Sequence, residues 1–259
     1  SIISLARLSG IDALDTAISY GESETCLGAI GLGGFKVITK LPPIPGNITD
    51  VATWVYDQME ESLYRLNLTS VYGLLLHHSQ QLLGSKGKDL SRAIQQLKIR
   101  GKVQKIGVSI YAPSELDRLM GVCKIDIVQA PFNLIDQRLE KSGWLQKLYN
   151  SGVEVHVRSV FLQGLLLMNT SEVPEKFKYW QPLLNTFHNW LIDNNISALQ
   201  ACIGFVHSHP QIAKIVVGVD SKEQLKQLIQ VEKLPKNIIW PNINCSDENL
   251  INPSSWDIL

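Results

Sequence analysis

Short apolar runs alternate with longer segments of helical period along most of the chain. The runs are "IDALDT" (11–16), "KVITKL" (36–41), "VYGLLLH" (71–77), "KIGVSI" (105–110), "IDIVQA" (125–130), "EVHVRSV" (154–160) and "KIVVGV" (214–219). They are rich in Val, Ile and Leu, and several are apolar at successive positions, as in a strand covered on both faces. Between them the pattern predicts helices near 23–31, 47–66, 87–100, 114–123, 142–150 and 221–230. Within 47–66, Val51, Val55, Met59, Leu63 and Leu66 recur at helical spacing. Ser197 and Gln200 form a capping box that opens a helix to about His207. Asn194-Asn195 suits a turn after an earlier helix over 181–193.

Strands alternating with helices through short connections imply a parallel sheet. A (β/α)8 TIM-type barrel needs eight strands, and the pattern supplies seven. Residues 1–10 read as the end of a helix leading into the first run. The expectation is therefore a barrel whose first strand is missing, with one more β/α unit encoded upstream. The chain has 259 residues, 45% of them hydrophobic, enough for one large core. No composition break marks a second domain, so residues 1–259 are expected to form one, with 233–259 as an extended C-terminal tail.

Charge and cysteines narrow the function classes. With 24 basic and 24 acidic side chains, nothing draws the chain globally toward nucleic acid or an anionic membrane. The basic run "KIRGKVQK" (98–105) reads as a helix end, where cations meet free carbonyls. Cys26, Cys123, Cys202 and Cys245 form no C-x-x-C, which points to a reducing compartment, the cytoplasm. No apolar run is long enough to span a bilayer. "GAIGLGGF" (28–35) follows a helix and precedes a strand, the reverse of a phosphate-binding order, so it reads as a helix-ending turn. His207 and His209 read as surface histidines at a helix end, and no metal is expected. Trp180 lies in a loop-like stretch and is a candidate substrate contact.

In β/α barrels the reactive side chains collect at the C-terminal ends of strands. The first run ends in Asp15, with Tyr20 in the loop beyond. The second ends in Lys40 and the third in His77. A tyrosine hydroxyl is a poor acid near neutral pH, and a neighbouring ammonium makes its proton easier to give. A carboxylate beside that lysine keeps it charged and oriented. A histidine can donate to a substrate carbonyl oxygen. The set suits proton delivery to a carbonyl oxygen as it gains negative charge. His78, adjacent in a strand, should point away from the pocket.

The chain resembles an aldo-keto reductase, and a bacterial-type member of that family. "GIDALDTAISYGESETCLG" resembles the family's first signature, and "VITK" its lysine strand. "SLYRLNLTSVYGLLLHH" resembles its S-L-x-R-L-x-L-x-x-x-D-L-x-x-x-H segment, with Tyr72 in the usual Asp place. "GKVQKIGVS", "IDIVQAPFNLIDQR" and "KIVVGVDSKEQL" follow in order. The resemblance implies NAD(P)H-dependent reduction of an aldehyde, ketone or sugar-type carbonyl, a small-molecule substrate. Tyr20 is implied as general acid, Asp15 and Lys40 as the groups that tune it, and His77 as the group that orients the carbonyl. The cofactor, NADPH or NADH, would have its carboxamide held by Ser109 and Gln129. The family often follows that serine with Asn; here Ile110 stands there.

Arg158 occupies the place of a stacking tyrosine, which should weaken the oxidised cofactor relative to the reduced one. Ser159, Phe161 and Gln163 should line the pyrophosphate path. Gly218, Asp220 and Gln224 match the segment that meets the second phosphate, with Lys222 the cation there. A carboxylate at that point repels a 2′-phosphate and accepts from a 2′-hydroxyl, so dual or NADH-leaning use is expected. The alternative reading is a non-catalytic cofactor-sensing or partner-binding member, or an inactive truncated fragment.

Overall fold

The computed structural model describes residues 1–235 and 237–258. It contains seven strands: β1 (Ala13–Asp15), β2 (Lys36–Leu41), β3 (Val71–Leu76), β4 (Val103–Ser109), β5 (Ile127–Pro131), β6 (Glu154–Arg158) and β7 (Ile212–Ile215). The chain divides into two compact units, one of residues 1–129 with 151–154, the other of 130–150 with 155–259.

In the first unit, β1 to β5 pair in sequence order, all parallel. The polar residues rise by two positions at β2 and again at β3, then stay level through β4 and β5. Asp15 pairs with Ile38, two residues before Lys40; Lys40 pairs with Leu75, two before His77; Leu75 pairs with Gly107, two before Ser109; and Ser109 pairs with Gln129. Side chains alternate along a strand, so Asp15, Lys40, His77, Ser109 and Gln129 share one face. Ile38, Leu75 and Ile127, one position lower on that face, are buried together. Gly107 completes their layer by omission: a Cβ there would meet Ile127 O at 2.3 Å and Leu75 Cδ2 at 2.5 Å.

Helices Ser23–Ile30, Val51–Leu66 and Gly87–Ile99 belong to this unit. Helix Val51–Leu66 starts later than its pattern suggested because Asp50 caps it, accepting from Thr53 N at 3.0 Å. Gly28 allows close helix contact, since a Cβ would stand 2.1 Å from Arg65 O. "GAIGLGGF" is the expected helix-ending turn, with Gly31 at φ 86°. In "KIRGKVQK", Lys98, Lys102 and Lys105 pair with Asp126, Glu60 and Glu154. Tyr72 donates to Glu154 at 2.7 Å, and the ammoniums of Lys36 and Lys105 lie 5.3 and 5.4 Å from its ring centre.

The second unit pairs β6 with β7 in parallel, with a bulge at Val155/His156. The seventh strand lies earlier than expected: it ends at Ile215, and Val216 N continues the ladder, donating to Val157 O. Asn195, at φ 51°, makes the predicted turn between helices Gln181–Asn194 and Ala198–His207, and the Ser197/Gln200 capping box is formed. One helix expectation is corrected. Residues 114–123 shrink to a 3-10 turn Pro113–Glu115 and a short helix Leu116–Leu119. The helix expected over 142–150 is found as Trp144–Asn150, preceded by a short helix Arg138–Lys141 from which Gly143, at φ 76°, divides it. The expected extended tail contains a short helix, Glu248–Ile251, capped by Asp247, and a 3-10 segment, Pro253–Ile258. Burial of Leu250 and Ile251 favours that turn. Lys236 and Leu259 of that tail lie outside the described residues. Among the described residues no helix is long and apolar enough to cross a membrane.

Glu24 joins three elements of the first unit. Its carboxylate is 1% exposed and accepts from Thr39 Oγ1 at 2.7 Å, Ser62 Oγ at 2.6 Å and Arg65 Nε at 2.9 Å. Removing the acceptor strands a buried donor set and an arginine, so Glu24→Ala should lower unfolding free energy by about 3 kcal/mol. Urea denaturation of both proteins measures it, and a loss within error of zero would contradict the role.

Candidate active site

The buried end of Lys40 anchors the site. The residue is 1% exposed, and an ammonium so far from water needs fixed partners. Its Nζ meets Asp15 Oδ2 at 2.5 Å and donates to Thr16 O at 2.9 Å. Both partners come from the end of β1, so the pairing of β1 with β2 builds the ion pair. The second Asp15 oxygen, Oδ1, accepts from Gln129 Nε2 at 2.8 Å.

Tyr20 leaves β1 on a tight turn, its amide donating to Ala17 O at 3.0 Å. That turn lifts the phenol over the ion pair. Its ring centre lies 5.2 Å from Lys40 Nζ and 5.7 Å from the His77 ring, which meets it edge-on. Tyr20 is 48% exposed, so a solute can reach it. His77 follows β3, and its Nδ1 hydrogen-bonds with Ser19 Oγ at 3.2 Å. His78 is the exposed one of the pair. Asp15, Tyr20, Lys40 and His77 are thus brought together, with Ser109 and Gln129, both buried, beside them on the same sheet face.

The remaining cofactor candidates belong to the second unit. Arg158 ends β6, and its Nη1 donates to Ser159 Oγ at 3.3 Å. Ser159 and Gln163 adopt φ of 57° and 53°, left-handed values that non-glycine residues rarely hold. Asn133 supports that turn: it is buried, and its Nδ2 donates to Ser159 O at 2.9 Å. Phe161 is half-buried between them. Gly218, Asp220 and Gln224 follow β7, at the same end of the β6–β7 pair. Gln224 Oε1 accepts from Asp220 N at 2.7 Å, so this side chain holds its own loop.

Two other candidates change character. Trp180 is buried, and its indole donates to Asp247 at 3.1 Å, so it packs rather than facing solvent. His209 is no surface histidine: its ring lies against Phe132 and Phe205, with Glu140 at 3.3 Å. Its burial comes from the chain reversal after helix Ala198–His207, which local pattern does not specify. Among the described residues no cluster of His, Cys, Asp and Glu could hold a metal ion.

Residues 2–238 match the sequence model of the Aldo/keto reductase family. The chain belongs to the aldo/keto reductase family. Aflatoxin B1 aldehyde reductase member 2 of Rattus norvegicus is 32% identical over 171 residues, which cover 61% of this chain and 46% of that protein. The uncharacterized oxidoreductase YqkF of Bacillus subtilis is 25% identical over 252 residues, 89% of this chain and 80% of its own. The chain spans about half the length of the mammalian relatives it matches. Among solved structures, the holo form of aldo-keto reductase AKR11C1 from Bacillus halodurans superposes with a TM-score of 0.75 at 20% identity, over 90% of this chain and 82% of that one. The glycerol dehydrogenase AKR11B4 of Gluconobacter oxydans gives 0.70 at 22%, over 90% and 80%. These likenesses show the fold: the family's (β/α)8 architecture, of which seven strands are present here.

In this aldo/keto reductase family member, Ser19 and Glu115 support the site of the first unit, and Asn133 the Ser159 turn of the second, without having stood out in the sequence. Ser19 lies inside the quoted signature and Asn133 inside "PFNLIDQR", so motif position was the available signal. Glu115 offered none. It ties the loop after His77 to the loop after Ser109, accepting from Ser79 Oγ, Gln80 Nε2, Tyr111 N and Ala112 N. Burial pushes its carboxyl up, but the bonds from Ser79, the Ala112 and Tyr111 amides and Gln80 outweigh this and hold it below its ordinary value of 4.5. A carboxyl lowered on folding stabilises above its unfolded pKa, and the stabilisation fades as pH falls through the folded one. Glu115→Gln should therefore melt below the parent at about pH 7, with the gap closing below about pH 4. Thermal melts across that range test it; a gap that does not vary with pH would contradict it.

Proposed function

We propose that the chain reduces an aldehyde, ketone or sugar-type carbonyl to the alcohol, using NADPH or NADH, with Tyr20 as the general acid. The observation that carries the reading is the neighbourhood of Tyr20, an accessible phenol flanked by a buried ammonium and an imidazole. Lys40 stabilises the phenolate that forms as Tyr20 gives up its proton. Asp15 keeps Lys40 charged and aimed. His77 donates a hydrogen bond from Nε2 to the carbonyl oxygen, and the bond between its Nδ1 and Ser19 Oγ holds the ring in place. Proton and hydrogen bond converge on the oxygen that gains negative charge. The mammalian relatives, aflatoxin B1 aldehyde reductases, support an aldehyde as substrate.

The residues present fit a nicotinamide cofactor. Ser109 and Gln129 are register partners, and their hydroxyl and amide offer the donors and acceptors a carboxamide requires. The bound cofactor supplies the hydride. Ser159, Phe161 and Gln163 would hold its pyrophosphate, and Arg158 would favour the reduced form because a guanidinium repels a cationic ring. Gly218 and Gln224 shape the loop that presents Asp220 to the adenosine ribose. That carboxylate disfavours a 2′-phosphate and suits a 2′-hydroxyl.

Tyr20→Phe should reduce kcat by about a hundredfold or more while leaving cofactor affinity unchanged. Steady-state turnover of an aldehyde panel with fluorescence titration of the cofactor separates the two; unchanged turnover would remove Tyr20 from the chemistry. The NADPH to NADH ratio of kcat/KM should stay below about a hundredfold, and Asp220→Ala should raise it. A parent preference for NADPH beyond that limit overturns the ribose assignment.

A further inference from the structure

Both oxygens of the Asp15 carboxylate are engaged, and by different elements. Oδ2 meets Lys40 on the adjacent strand, while Oδ1 accepts from Gln129 Nε2 at 2.8 Å. Gln129 stands on β5, with β2, β3 and β4 between it and β1 in sheet order. The bond therefore spans the face of the sheet rather than linking neighbours. Gln129 is 1% exposed, so water competes little for it.

An amide has a donor end and an acceptor end of nearly equal size, and packing alone distinguishes them poorly. An ionised carboxylate accepts and cannot donate. Paired with Lys40, Asp15 faces Gln129 as such an acceptor, so only the NH2 end can point at it. The carbonyl end must then point away.

We infer that Asp15 is a positioning residue for Gln129: its ion-paired carboxylate fixes the direction of the Gln129 amide, and so couples the Lys40–Asp15 pair to the binding of the nicotinamide carboxamide. This rests on the reading of Ser109 and Gln129 as the carboxamide residues. It gives Asp15 a second task beside holding Lys40. Loss of its charge releases the amide to turn over, and the pocket then presents the wrong group to the cofactor in part of the population.

The test is a double-mutant cycle on cofactor affinity, read by fluorescence titration with NADPH and with NADH. Asp15→Asn and Gln129→Met should each weaken binding by roughly tenfold, and the double variant by no more than roughly tenfold. Independent effects, multiplying to roughly a hundredfold, overturn the coupling, as does unchanged affinity in Asp15→Asn. In the protein without cofactor, the side-chain amide signals of Gln129 in 15N–1H spectra should exchange slowly, and this protection should vanish in Asp15→Asn. Persistence of the protection also overturns the proposal. Because Asp15→Asn strands a buried ammonium, Asp15→Asn combined with Lys40→Met removes the charges as a pair and serves as the second variant. The same loss of affinity and protection is expected of it, and retention of either counts against the coupling. Carbonyl turnover of the parent is scored separately. Binding without turnover defeats the reductase reading and leaves the coupling to the cycle, whereas turnover with an additive cycle defeats the coupling alone. A parent that binds neither nucleotide overturns both.

Discussion

An ammonium at 1% exposure must have its charge met inside the protein, and Lys40 sets that condition for everything around it. The requirement is met by Asp15 and by the carbonyl of Thr16, both from the end of β1. Those two contacts fix where β1 stops, and hence where the turn to Tyr20 begins. Asp15 in turn reaches Gln129, and Lys40 faces the Tyr20 ring. The Tyr20 phenol therefore inherits its position from a charge that cannot be left unpaired.

The stepped register is what lets one charge organise so many strands. β1, β2 and β3 contribute Asp15, Lys40 and His77 at successive levels, and Ser109 and Gln129 stand level with His77, over an apolar layer of Ile38, Leu75 and Ile127. The apolar layer excludes water from below, which strengthens the ion pair above it. Gly107 belongs to this design because a side chain there would displace Leu75 and the β5 backbone.

Two further carboxylates hold the loops in register with the strands. Glu24 binds donors from β2 and from helix Val51–Leu66, and Glu115 collects donors from the loops beyond His77 and Ser109. Each gathers several donors onto one group, so the segments it joins move together or not at all. In the second unit Asn133 performs the equivalent task for the turn at Ser159, with a neutral amide in place of a charge.

The amino-acid sequence determined the strand–helix alternation, because burial on both faces demands continuous apolar runs and amphipathic helices demand a 3.6-residue period. It also singled out the four residues proposed as reactive, since each sits at a strand end or in the loop just beyond, within a motif that keeps its spacing. Local pattern could not place β7, the split at Gly143 or the short helix at Glu248–Ile251, where a few residues are decided by contacts from elsewhere. Nor could it show that Gln129 serves Asp15, that Ser19 serves His77, or that His209 lies among aromatic rings. Asp15 and Gln129 are 114 positions apart, and nothing in either neighbourhood encodes the other. Sequence names the groups and the elements that carry them. Only the pairing of strands brings distant side chains within hydrogen-bonding distance, because a contact range of a few ångströms is set by register and packing rather than by position along the chain.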